Sequence, residues 1–151
     1  MIYTRKATLN DLTILLEFEQ GIIAAERPFD PTLKEGKISY YNIEKMILST
    51  DVEVVVAVLD GQIIGSGYAR IENAKPYLNH NLYAYLGFMY THPDYRGKGV
   101  NNQIVEALSN WVRSQGILEM RLDVYNDNLS AIRAYEKVGF KKHLINMRIS
   151  L

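Results

Sequence analysis

Residues 95–101 read Tyr95-Arg96-Gly97-Lys98-Gly99-Val100-Asn101, two glycines and two cations in seven positions. After them the apolar residues Val100, Ile104, Leu108, Trp111 and Val112 recur at helical spacing. Before them, residues 82–91 form an aromatic-rich run, and Pro93 holds His92 extended and ends it. The seven residues therefore turn a strand into an amphipathic helix. Glycine there permits positive φ and a close backbone approach to a ligand. The first turn of the helix offers unpaired N–H groups and the positive end of its dipole. Such a turn suits a pyrophosphate, with Arg96 and Lys98 adding charge at its rim. As an ordinary strand-to-helix turn it would need the same glycines for geometry alone.

Outward from this turn the chain reads as alternating elements. Residues 2–7 alternate like a half-buried strand. Asn10 is placed to cap a helix carrying Leu12, Leu15, Leu16, Ile22 and Ile23. Pro28 and Pro31 punctuate a loop over residues 26–37, and a short helix falls within 40–48. Residues 53–59 and 62–71 are strands joined by the hairpin signal Asp60-Gly61. A polar loop, 75–81, leads into the aromatic strand. Gly116 closes the amphipathic helix, and residues 118–124 are again a strand. Residues 128–138 are a helix ended by Gly139, and 140–149 are a final strand or pair of strands. The expected fold is a single α/β domain over residues 1–151, with a mixed, mostly antiparallel sheet and helices on both faces.

Composition narrows the function. Seventeen Lys and Arg balance seventeen Asp and Glu, which excludes a general nucleic-acid binder. No apolar run approaches the ~20 residues of a membrane helix, and the N-terminus lacks a signal-peptide core. With no cysteine, disulfides, thiolate metal sites and a cysteine nucleophile are all excluded, and a cytoplasmic location is the default. His80, His92 and His143 lack ligand spacing, so no metal is expected. Residues 1–75 carry a net charge of −3 and residues 76–151 one of +3, so an anionic ligand finds the better field in the second half.

Two familiar nucleotide motifs fail at the turn. Lys98 precedes Gly99 with no Ser or Thr after it, so the Walker pattern is absent, and Asn102 stands where a dinucleotide fingerprint needs glycine. What the turn resembles instead is the Arg/Gln-x-x-Gly-x-Gly/Ala signature of the Gcn5-related N-acetyltransferase (GNAT) family, with Arg96, Gly99 and Asn101 at the marked positions. About thirty residues on, residues 124–140 are similar to a second segment of that family: Asn128, Ala131, Tyr135, Gly139 and Phe140 keep its spacing. Asn101 departs from the family's Gly or Ala, and its side chain either crowds a phosphate or donates an amide N–H to one.

The resemblance implies acetyl-CoA as co-substrate. The pyrophosphate would rest on the backbone of Arg96, Gly97, Lys98, Gly99, Val100 and Asn101. The peptide-like pantetheine arm would pair with the strand edge at Met89, Tyr90 and Thr91. Asn126 and Asn128 would contact the arm, although Asn128 equally suits a helix cap. Tyr135 would protonate the departing thiolate, and a backbone N–H near Tyr90 would stabilise the oxyanion. Residues 82–91 hold no carboxylate. Candidates for a general base are Glu26, Asp30 or tyrosines acting through water, and a bound water chain could also remove the proton. The acceptor wall falls on residues 17–41, where Glu17, Glu19, Glu26, Asp30 and Glu35 outnumber Arg27, Lys34 and Lys37, favouring a cationic amine. The expected partners are thus a small-molecule or peptide amine and room for a homodimer, without nucleic acid or membrane. A non-catalytic acyl-CoA-binding or sensing module of the same fold is the alternative.

Overall fold

The computed structural model describes residues 1–151. Five strands form one sheet in the order β1-β2-β3-β4-β5. They are β1 (Tyr3–Lys6), β2 (Val52–Leu59), β3 (Gln62–Asn73), β4 (Leu82–Thr91) and β5 (Met120–Arg121). Successive pairs are antiparallel until β5, which lies parallel to β4. The helices are α1 (Leu12–Glu26), α2 (Ile43–Leu48), α3 (Val100–Ser114) and α4 (Leu129–Lys137).

β2 explains why the sheet is covered on both sides. Its run Val-Glu-Val-Val-Val-Ala-Val-Leu is too apolar for a strand with one wet face. Val54, Val56 and Val58 turn towards Leu15, Phe18 and Ile22 of α1 and Ile43 of α2. Val55 and Ala57 turn the other way, towards Ile104, Leu108 and Val112 of α3. The alternation of a strand thus feeds two cores, and the expected two-sided mixed sheet is the observed one.

Three local expectations are corrected. Asn10 does not cap α1. Thr8 opens a 3-10 turn over Leu9–Asp11, and Asp11 receives the Thr8 N–H at 2.8 Å while Arg5 clamps it at 2.8 and 3.0 Å. The bidentate pair outcompetes an ordinary asparagine cap. The strand expected over 118–124 keeps only Met120–Arg121 in the ladder, because β5 meets β4 only at Ala84 and Tyr85. No strand follows α4. Residues 141–151 are extended and exposed, and none makes a hydrogen bond within the chain, since no neighbouring strand edge lies beside them.

Candidate active site

The turn after β4 is built as its composition predicts. Pro93–Tyr95 form a 3-10 turn capped by the His92 ring, which accepts the Asp94 N–H at 3.2 Å. Gly97 and Gly99 then adopt φ of +76° and +79°, the left-handed region that a Cβ makes costly. Nothing lies within 4 Å of where a Cβ would stand on either, so the space above the loop is open. None of the six backbone N–H groups from Gly97 to Asn102 finds an acceptor within the chain. They converge on the head of a fifteen-residue helix. Lys98 lies over the Tyr95 ring at 5.4 Å, and Arg96 and Lys98 are exposed. The Asn101 side chain makes no hydrogen bond to the protein.

β4 delivers the second part of the site. Beyond Tyr85 it parts from β5, so its outer edge from Leu86 to Thr91 has no partner strand. Its inner edge is interrupted too. Ser66 faces Tyr90 and Tyr68 faces Gly87, which leaves Phe88 and Met89 opposite the single residue Gly67. This is a β-bulge. Phe88 takes φ of +56°, a conformation costing about 1–3 kcal/mol for a residue with a side chain. The surroundings over-determine it. Ser66 donates its hydroxyl to the Phe88 carbonyl at 3.0 Å, and the Phe88 ring is buried against Tyr41 at 5.3 Å. The sequence pattern puts Met89, Tyr90 and Thr91 on a regular strand, and the bulge departs from it. Gly67 and Gly87 inside strand patterns were the available signal.

Tyr90 packs its ring on Phe18 of α1, 4.5 Å between centroids. It passes directly over Gly21, where a Cβ would come within 2.7 Å of the ring. The C-terminal end of α1 and the loop after it form the facing wall. Arg27 turns away from that wall, donating to the carbonyl oxygens of Lys34 (2.7 Å) and Gly36. Glu26 and Asp30 are the wall's charges that act on Tyr40 and Tyr125. Glu19, buried, is structural: it accepts the Tyr40 and Tyr41 N–H groups at 2.9 and 2.8 Å and pins the loop to α1.

The two halves of the chain meet at Tyr125. Its hydroxyl donates to Asp30 at 2.7 Å, and its ring stacks on Phe29 at 6.2 Å. Hydrogen bonds from the Thr32 and Tyr125 hydroxyls and the Thr32 N–H hold the Asp30 carboxyl below its usual range, and Arg148 adds a smaller effect. Glu26 moves the other way. Burial raises its carboxyl above the usual range, and the Asp30 charge adds to this, against the opposing influence of Tyr40. The Tyr40 hydroxyl is buried without a hydrogen-bond partner of regular geometry, yet lies close enough to Glu26 for each to perturb the other.

Tyr135 lies on α4 and turns its ring edge-on to Phe140 at 5.9 Å. Burial pushes its phenol up to about 12, and the Glu26 charge contributes. Tyr135, Glu26, Tyr125 and Asp30 thus share one electrostatic neighbourhood, although they come from three separate segments. Asn128 is a cap: its side-chain oxygen accepts the Ala131 N–H at 3.3 Å. Asn126 is exposed and bonds only Asp127, at 3.2 Å.

Residues 20–140 match the model of the acetyltransferase (GNAT) family, so the chain belongs to that family. It is 31% identical over 128 residues to the acetyltransferase SG1711 of Sodalis glossinidius, covering 83% of this chain and 81% of that one. It spans only 19% to 62% of the length of other curated relatives. Among solved structures, a tetramutant of the BH1408 protein of Bacillus halodurans superposes with a TM-score of 0.88 at 19% identity, covering 98% and 99% of the two chains. A predicted acetyltransferase of Clostridium acetobutylicum, solved with acetyl-CoA, superposes with a TM-score of 0.74 at 19% identity, covering 99% and 96%.

Proposed function

We propose that this chain is an N-acetyltransferase that uses acetyl-CoA to acetylate a cationic primary amine, on a small molecule or a peptide. The observation that carries the reading is the row of six unengaged N–H groups from Gly97 to Asn102 beside a strand whose outer edge is open. An anionic pyrophosphate satisfies the first, and the amide groups of a pantetheine arm satisfy the second. Acetyl-CoA supplies the activated acyl group as a thioester.

The remaining chemistry belongs to the protein. The bulge at Phe88 and Met89 breaks the regular pairing of β4 with β3, and a β4 backbone N–H near Tyr90 stabilises negative charge developing on the acyl oxygen. Tyr135 keeps its proton at neutral pH and gives it to the departing sulfur. Glu26, held above the ordinary carboxylate range, takes the proton lost by the attacking amine. Glu26 and Asp30, with Phe29 and Tyr125 stacked beside them, attract and seat a cation.

The test is a panel of primary amines matched with neutral analogues of the same shape, each assayed with acetyl-CoA. Amines carrying a second positive charge should show the highest kcat/KM, and Asp30→Asn, which keeps the proposed base, should flatten the order. A panel ranked by size alone, indifferent to charge, would overturn the substrate class.

A further inference from the structure

Glu19 sits where carboxylates are seldom found. It lies within α1, 1% exposed, and none of the chain's ion pairs includes it. Its hydrogen bonds all come from the loop before α2. One carboxylate oxygen accepts the N–H groups of Tyr40 and Tyr41 at 2.9 and 2.8 Å, and the Ser39 hydroxyl reaches both oxygens at 3.3 Å. A buried anion carries a desolvation cost that an apolar contact between loop and helix would avoid. What the anion adds is direction. Two successive N–H groups converging on one charged oxygen fix the backbone at residues 40 and 41, and with it the heading of the Tyr41 ring.

That ring leads to β4. It stands 5.3 Å from the Phe88 ring and, edge-on, 5.6 Å from the Tyr68 ring. Tyr68 in turn fills the space beside Gly87: its hydroxyl lies 2.5 Å from where a Cβ of residue 87 would stand. Two packed tyrosine rings thus bear on Gly87 and Phe88, where β4 enters its bulge. Beyond the bulge α1 touches β4 directly, with Phe18 and Gly21 against the Tyr90 ring. One helix therefore holds the bulge at both ends, at Tyr90 by contact and at Phe88 through the Glu19–Tyr41 link.

We infer that Glu19 and Tyr41 are positioning residues for acyl transfer: the clamp on residues 40 and 41 holds the Tyr41 ring against Phe88 and so fixes the bulge that presents the β4 backbone to the acyl oxygen. The kinetic consequence rests on the acetyltransferase reading, whereas the brace itself does not. Neither side chain touches the reacting atoms. Both act through the place of the β4 backbone, and a misplacement of about 1 Å at a reacting centre costs on the order of 10²-fold in rate.

The test compares Glu19→Leu, Glu19→Gln, Tyr41→Leu and the double variant Glu19→Leu/Tyr41→Leu with the unaltered protein. Affinity for CoA, titrated calorimetrically, should be alike in all, because the turn from Gly97 to Asn102 is untouched. Glu19→Leu and Tyr41→Leu should each lower kcat by about 10²-fold. The double variant should fall no further than the lower single, since both changes remove one brace. Glu19→Gln should recover most of the turnover lost in Glu19→Leu, because its amide oxygen can accept both N–H groups and its NH₂ can donate to Ser39. A clamp that only anchors the loop gives another pattern: Glu19→Leu raises KM for the amine and keeps kcat, and Tyr41→Leu keeps kcat. That pattern overturns the inference, as do losses that multiply in the double variant. Tyr41→Leu leaves the Glu19 clamp in place, so it answers the question even if Glu19→Leu does not fold. Hydrogen exchange read by mass spectrometry needs no turnover. In Tyr41→Leu the peptide over residues 86–92 should exchange faster than in the unaltered protein, with α3 unchanged, and equal exchange at 86–92 contradicts the brace. An unaltered protein that transfers no acetyl group overturns the acetyltransferase reading alone, and the exchange result still decides whether the brace exists.

Discussion

Tyr135 and Glu26 are perturbed in the same upward direction for the same reason, burial, yet the consequences for chemistry differ. The phenol is driven away from neutrality and stays an acid. The carboxyl is driven from its usual range towards neutrality and becomes a better base. Tyr135→Phe removes a hydroxyl that has no partner in the chain, so melting temperature should hardly move. The kcat should fall by about 10²-fold, at the low end for general acid catalysis, with little change in KM for acetyl-CoA. Steady-state kinetics and a thermal melt on one preparation check both halves. Glu26→Gln tests the other partner, and its stability effect has a definite sign. A carboxyl whose folded pKa lies above its unfolded one subtracts stability once ionised, a penalty relieved as pH falls through the folded pKa. At neutral pH the Gln variant should therefore melt at the same or a higher temperature. Its pH–rate profile should lose the acidic limb. A variant that melts lower and keeps that limb would make Glu26 a packing residue.

At the scale of elements, the turn between β4 and α3 carries the phosphate claim. Gly99 has open space around it, so its need for glycine comes from φ of +79° rather than from crowding by the protein. Gly99→Val should therefore cost about 1–2 kcal/mol of stability and also place a branched side chain where the pyrophosphate would lie. Calorimetric titration with CoA should show affinity lost by at least about tenfold (1.4 kcal/mol). Asn101→Gly should bind as well as the unaltered protein or more tightly, because the backbone N–H is kept and the Asn101 side chain holds nothing in the chain. A large loss there would make that side chain itself a ligand. This turn was legible in the sequence because glycine, cation and helical period coincide within a few residues. The same holds for β2, whose unbroken apolar run announces two cores. The bulge at Phe88 was not legible. A phenylalanine in left-handed geometry is held by Ser66, twenty-two residues away, and by Tyr41, neither of which leaves a mark at position 88. Nor was the Tyr125–Asp30 bridge, which spans 95 residues and depends on how the two halves dock. The final strand was misplaced for the opposite reason. Residues 140–149 have a true strand pattern, but a pattern does not say which edge will satisfy it.

For the whole molecule, the division of labour follows the charge asymmetry of the chain. On the proposed function the basic second half supplies the turn for the pyrophosphate and Tyr135. The acidic first half supplies Glu26, Asp30 and the aromatic loop, and Tyr125 hydrogen-bonds across to it. A site divided in this way would bring an anionic acyl donor and a cationic acceptor together from opposite sides. That arrangement serves transfer and is superfluous for a module that only senses acyl-CoA. The most direct measurement is therefore the release of CoA thiol from acetyl-CoA by the intact protein, with and without a primary amine, alongside mass spectrometry of the amine. The account predicts amine-dependent release, with one acetyl group gained by the amine for each thiol freed. Acetyl-CoA that binds but stays intact, or that is hydrolysed at the same slow rate whether or not amine is present, would contradict it.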